Sequence, residues 1–185
     1  MQPASGSRAT ILVGLCGSLR VGSTNHTLLA TASRLAPCGI ELRIYQGVGD
    51  LPHYRPEADV EPLPQEVAQL RSIVREADGL IISCPEYAGG IPGAFKNALD
   101  WLVGGDEMYE KRVAIWRTSM RGESATAALK LVLRTLASRI VGEHIFGPWP
   151  GGRSASLDDL LHDGGVAGEI RTAFARCLRE ISHGP

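Results

Sequence analysis

The chain has 185 residues, 44% of them apolar, and a formal net charge of −1. That length suits one domain with a buried core, and the charge balance argues against a nucleic-acid surface or a strong acidic field. No apolar run is long enough to span a membrane. The four cysteines, Cys16, Cys38, Cys84 and Cys177, form no CxxC pair and no zinc spacing with the five histidines. Reduced thiols, a cytoplasmic location and no metal site are therefore expected.

Residues 1–8 are polar and read as a flexible N-terminal tail, with a single domain over 9–185. Thr10 to Leu15 is a short apolar run, as expected of a strand buried on both faces. Leu28, Leu29, Ala32, Leu35 and Ala36 predict a helix over 25–36, stopped by Pro37 and Gly39. Residues 40–45 alternate as a second strand. Pro52, Pro56, Pro62 and Pro64 then mark a loop. Val67, Leu70, Ile73, Val74 and Ala77 mark a second helix, and residues 80–84 form the clearest buried strand. A helix over 94–102, a strand over 112–116, a helix capped by Ser124 and running to Leu136, and a strand over 140–146 follow. The stripe Ile170, Ala173, Phe174, Cys177, Leu178 and Ile181 marks the last helix.

Five strands and five helices thus alternate. The pattern predicts an α/β fold, a doubly wound five-stranded parallel sheet with helices on both faces. Such sheets bind ligands at the carboxyl ends of their strands, where the strand order reverses. In the order 2-1-3-4-5 this switch lies between the loops after strands one and three, and these are the two most unusual stretches of the sequence.

The first loop, Gly17-Ser18-Leu19-Arg20-Val21-Gly22-Ser23-Thr24-Asn25, runs into a helix N-terminus. Unpaired N–H groups and the helix dipole favour an anion there. Ser18, Ser23, Thr24 and Asn25 add short polar donors, and Arg20 adds a fork suited to phosphate oxygens. Neither GxxxxGK[ST] nor GxGxxG is present. Cys16 stands too near Arg20 for a thiol-phosphatase loop and reads as the end of a buried strand. The second loop, Pro85-Glu86-Tyr87-Ala88-Gly89-Gly90-Ile91-Pro92-Gly93, has two prolines and three glycines, which specify a fixed, tight path. Such a path makes a rigid wall for a flat ring, with Tyr87 as a flank. Trp101 continues an apolar helical stripe and is expected in the core.

Gly17-Ser18-Leu19-Arg20 with Ser23 and Asn25 resembles the phosphate loop of the NADPH-dependent FMN reductase family, which includes chromate, quinone and azo-dye reductases. Pro85-Glu86-Tyr87 through Pro92-Gly93, Lys96-Asn97-Ala98 and Asp100-Trp101 resembles that family's second motif. The resemblance implies a flavodoxin-like fold in which Ser18, Arg20, Ser23, Thr24 and Asn25 hold the FMN phosphate. Pro85, Glu86, Tyr87, Ala88 and Gly89 would line the isoalloxazine, with further contacts from Ser119, Met120 and Arg121. Two departures stand out. Many members carry Asn where this chain has Ala88, and the loop after strand four, usually glycine-rich, here has one glycine in Thr118-Ser119-Met120-Arg121-Gly122-Glu123.

The resemblance implies an FMN-dependent oxidoreductase that passes two electrons from NADPH or NADH to a small acceptor: a quinone, a flavin, an azo dye or a metal oxyanion. The flavin carries such chemistry, so no catalytic side chain is assigned. A flavodoxin-type electron carrier and an FMN-binding sensor without turnover are the alternatives. The resemblance also implies a homodimer or homotetramer. Trp101, Leu102 and Val103 at the end of one helix offer apolar surface for such a contact.

Overall fold

The computed structural model describes residues 8–147, 149 and 155–182, and side chains only as far as residue 180. Residues 1–7 of the expected tail and the Ile181 side chain lie outside the described residues. Arg8 pairs with Asp78 at 2.5 Å.

Five strands, β1 (Thr10–Cys16), β2 (Ile40–Tyr45), β3 (Gly79–Ser83), β4 (Arg112–Arg117) and β5 (Arg139–Ile145), form one sheet. Their order is β2-β1-β3-β4-β5, and every adjacent pair is parallel. The placement follows from sequence. β3 is apolar with every residue buried, which suits the centre. β5 carries Arg139, Glu143 and His144 and takes an edge. Six helices cover the sheet: α1 (Thr24–Arg34), α2 (Gln65–Glu76), α3 (Gly93–Asp100), α4 (Glu123–Thr135), α5 (Leu157–His162) and α6 (Gly164–Ser182). This is a flavodoxin-like α/β fold.

The pleat sends alternate strand residues to two cores. Val13, Leu15, Leu80, Ile82, Val113 and Ile115 meet α2, α3 and α4 on one face. Leu12, Ile81, Ala114 and Trp116 meet α1 and α6 on the other. There Trp116 packs edge-on against Phe174 with ring centroids 5.2 Å apart. The four cysteines are free thiols. Among the described residues no helix is long and apolar enough to cross a membrane.

Three expectations need correction. First, a short helix, α5, precedes the last one. Ser156 and Asp159 close it with a capping box, but six residues are too few for an apolar period to show. Second, Ser124 is not the cap of α4. Gly122 takes that place at φ 100, and Ser124 lies inside the helix. Third, α3 ends at Asp100, and its apolar end turns inward. Trp101 and Leu102 are 0% and 1% exposed, leaving only Val103 outside. The indole Nε1–H of Trp101 donates to the Pro52 carbonyl at 2.7 Å and pins the proline-rich loop. The apolar surface offered for subunit contact is therefore spent largely on the chain's own core.

Candidate functional site

A cavity of about 740 Å³ opens at the carboxyl ends of the central strands, walled by the loops after β1, β3 and β4 and by Trp149. The register sets the first two loops side by side. Cys16 pairs with Ser83, and the Gly17 N–H donates to the Ser83 carbonyl at 2.9 Å. Only glycine fits at position 17, because a Cβ there would lie 2.8 Å from Cys84 Sγ.

The first wall leads into α1. Ser23 is the N-cap, and its hydroxyl lies 3.5 Å from the His26 N–H, which it accepts. The Ser18 hydroxyl accepts the Arg20 N–H at 3.3 Å and meets the Tyr87 hydroxyl at 3.1 Å, tying the first loop to the second. Arg20 is exposed and donates to the Gly22 carbonyl at 3.0 Å. Thr24 Oγ1 lies 3.5 Å from Thr118 Oγ1. Asn25 is buried, and its Oδ1 accepts from Ser83 Oγ at 3.0 Å and from Thr118 Oγ1 at 3.5 Å. Its side-chain oxygen therefore fastens α1 to the ends of β3 and β4.

The second wall is a two-residue hairpin. Tyr87 and Gly90 exchange both backbone bonds at 3.0 Å, with Ala88 at φ 49 and Gly89 at φ 73 between them. Alanine is strained in this left-handed region by about 1 kcal/mol, whereas Asn and Gly tolerate it. The family's Asn at this position thus fits the backbone. Pro85, Glu86 and Tyr87 line the cavity, whereas Ala88 and Gly89 form the tip outside its lining. The Glu86 carboxylate accepts the Ala125 N–H at 2.9 Å. Ala125 is the third residue of α4, so Glu86 supplies the cap that Gly122 lacks. Burial pushes the Cys84 thiol up to about 12, so it stays protonated and is a poor nucleophile.

The third wall is held by a charge network. Arg117 ends β4 and is 8% exposed. It donates to Glu143 Oε1 at 2.8 Å and to the carbonyls of Met120 and Arg121 at 3.1 and 3.2 Å. Lys130 of α4 binds the other Glu143 oxygen at 2.5 Å. Burial pushes the Glu143 carboxyl up, but the bonds from Lys130 and Arg117 outweigh it and hold the group below the usual carboxylate range. The Arg121 N–H donates to Ser119 Oγ at 3.0 Å. Ser119 and Arg121 line the cavity. Met120, 73% exposed, does not.

Ten of the expected site residues therefore line one cavity: Ser18, Arg20, Ser23, Thr24, Asn25, Pro85, Glu86, Tyr87, Ser119 and Arg121. Cys84, Arg117, Thr118, Gly122 and Trp149 complete it. Of these, Trp149 had a readable signal: it sits in a Gly/Pro-rich run directly after a strand, as both motif loops do. The cavity has the size of a small-molecule or cofactor site. One end offers hydroxyls, Arg20 and a capped helix N-terminus to an anion, and Pro85 and Tyr87 offer a rigid flat wall.

Residues 10–147 match the family model described as NADPH-dependent FMN reductase. Among curated relatives, the chain is 42% identical over 94 residues to a quinone reductase of Escherichia coli (strain K12), a match covering 49% of each chain. It is 34% identical over 90 residues to an NAD(P)H-dependent FMN reductase of Pseudomonas aeruginosa, covering 49% of this chain and 48% of that one. These matches span about half the length of the curated relatives. The solved structure of a flavoenzyme NAD(P)H:(acceptor) oxidoreductase from Paracoccus denitrificans superposes with a TM-score of 0.73 at 25% identity, covering 95% of this chain and 100% of that one. With the family model spanning the whole sheet and all three walls that the loops build, the chain belongs to the NADPH-dependent FMN reductase family.

Proposed function

We propose that the cavity binds FMN and that the protein is an NAD(P)H-dependent oxidoreductase of a small acceptor. One observation carries this reading. The capped N-terminus of α1, Ser18, Ser23 and Arg20 converge on one end of the cavity of about 740 Å³, at the β1/β3 switch point. The residues present fit the cofactor. Ser18, Arg20, Ser23 and Thr24 would hold its phosphate, and Asn25 would keep α1 in place behind them. Pro85 and Tyr87 would flank its ring.

When bound, FMN supplies the two-electron redox chemistry. The chain's own part is to bind, orient and exclude. The Ser18–Tyr87 hydrogen bond couples the phosphate end to the ring wall. Glu86, through Ala125, fixes the second loop to the third. No cavity-lining acid or base is needed, and Glu86, the one lining carboxylate among the described residues, is already engaged as a helix cap.

A quinone is the acceptor best supported, since curated relatives bear that activity in their names. A homodimer or homotetramer and a cytoplasmic location complete the reading. The test is steady NADPH oxidation by purified, FMN-loaded protein with a benzoquinone acceptor. Sustained turnover is expected. Bound flavin without turnover would instead identify a carrier or a sensor.

A further inference from the structure

We infer that Arg121 docks a phosphate of the incoming nicotinamide nucleotide; this rests on the FMN reading above. Among the described residues three arginines line the cavity: Arg20, Arg117 and Arg121. Their circumstances differ. Arg20 belongs to the first loop, where one phosphate already finds hydroxyls and a helix N-terminus. Arg117 is consumed by Glu143 and two carbonyls. Arg121 is exposed, and among the described residues its guanidinium has no hydrogen-bond or ion-pair partner. Its backbone, by contrast, is fixed at both ends, by Ser119 Oγ at its N–H and by Arg117 at its carbonyl. A cation is thus presented to the cavity from a braced position, with no ion-pair partner among the described residues.

The cation stands on a different loop from the one that cradles the cofactor's phosphate. Arg121 follows β4, which lies two strands from β1 in the sheet, and stands three residues beyond Thr118, where the two loops meet. FMN carries one phosphate, and the first loop is built for it. The ring of oxidised FMN, the form that meets the incoming nucleotide, is neutral, so a second anion comes with the second ligand. A neutral quinone brings none, whereas every nicotinamide dinucleotide brings a diphosphate, and NADPH brings a further 2′-phosphate. A guanidinium fork suits either. A charged hydrogen bond of this kind corresponds to about tenfold or more in affinity.

The test uses FMN-loaded wild type and the Arg121→Gln and Arg121→Lys variants. Calorimetry gives the Kd of oxidised NAD⁺ and NADP⁺, steady-state kinetics give KM for NADH and NADPH with neutral benzoquinone, and fluorescence titration gives the Kd of FMN. Arg121→Gln is expected to raise nucleotide Kd and KM about tenfold or more. Arg121→Lys should restore part of that, and FMN affinity and the quinone KM should move less than about twofold. A loss for both nucleotides places the contact on the diphosphate, and a loss confined to NADP⁺ and NADPH places it on the 2′-phosphate; both uphold the inference. Unchanged nucleotide affinity overturns it. So does a weakened FMN Kd, which assigns Arg121 to the cofactor, or an effect seen only when a sulfonated quinone replaces the neutral one. A wild type that takes up no FMN overturns the underlying reading and is recognised before any variant is compared.

Discussion

The loops after β1 and β4 both wall the cavity and are held by different physics. The first is held by neutral groups: Ser23 caps its own helix, Ser18 accepts from Arg20 two residues on and meets the Tyr87 hydroxyl, and Asn25 accepts from Ser83 and Thr118. Its one charged group, Arg20, stays exposed, and among the described residues its side chain bonds only the Gly22 carbonyl. The second is held by charges. Arg117 grips two loop carbonyls and is itself gripped by Glu143, 26 residues further along, which Lys130 secures from α4. The β1 loop can therefore spend its arginine on a ligand, while the β4 loop spends Arg117 on its own shape. A family loop rich in glycine folds by backbone freedom. Here a buried guanidinium does that work, and the strand end, the loop and α4 become one cooperative unit.

The sharpest break between the two walls is in stability. Arg117→Ala leaves two carbonyls without their donor and the Glu143 carboxylate without one partner, so a loss of about 3 kcal/mol or more is expected in urea unfolding. Arg20→Ala should change stability by less than about 0.5 kcal/mol, since it is a surface change. It should instead weaken FMN binding by about 1.5–3 kcal/mol in a fluorescence titration. If the two variants exchange these phenotypes, the contrast between the walls is wrong.

Acid sharpens the comparison further. The folded-state pKa of Glu143 lies below its ordinary value of 4.5, so its stabilising contribution is present above that value and is lost as pH falls through the folded pKa. The stability gap between wild type and Glu143→Gln should be open at neutral pH and narrow progressively below about pH 4.5. A gap that stays constant on acidification would remove the charge network from the account. The smallest effect belongs to the hairpin tip. Ala88→Gly relieves a positive φ of 49 and should raise stability by up to about 1 kcal/mol, with FMN affinity unchanged because Ala88 is outside the cavity lining.

The same contrast explains what could be read from the sequence. All five strands were legible, because buried parallel strands are short apolar runs, and their order came from the resemblance to a flavodoxin-like family. The β1 loop was legible because its chemistry is contiguous. Arg117 was not, since at the end of a strand it looks like a solvated terminus and its partner is remote. Glu86 was read as a flank of the ring, while its carboxylate serves α4, whose cap was assigned to Ser124 because Gly122 offers no side chain to read. Helix α5 escaped because a six-residue element has no period. Trp101 was legible as a core residue from its apolar stripe and is buried, but Leu102 read as contact surface because the inward turn after Asp100 has no local signature.

The central claim is that the β1 loop is a phosphate cradle, and comparing FMN with riboflavin tests it most directly. The two ligands share the ring and differ only in the phosphate. Fluorescence titration of the apoprotein with each should give FMN the lower Kd by about tenfold to a hundredfold, from one or more charge-assisted bonds. In Arg20→Ala that ratio should shrink while riboflavin affinity holds. Equal affinity of the wild-type protein for the two ligands would contradict the account, because the hydroxyls, the arginine and the capped helix would then recognise nothing.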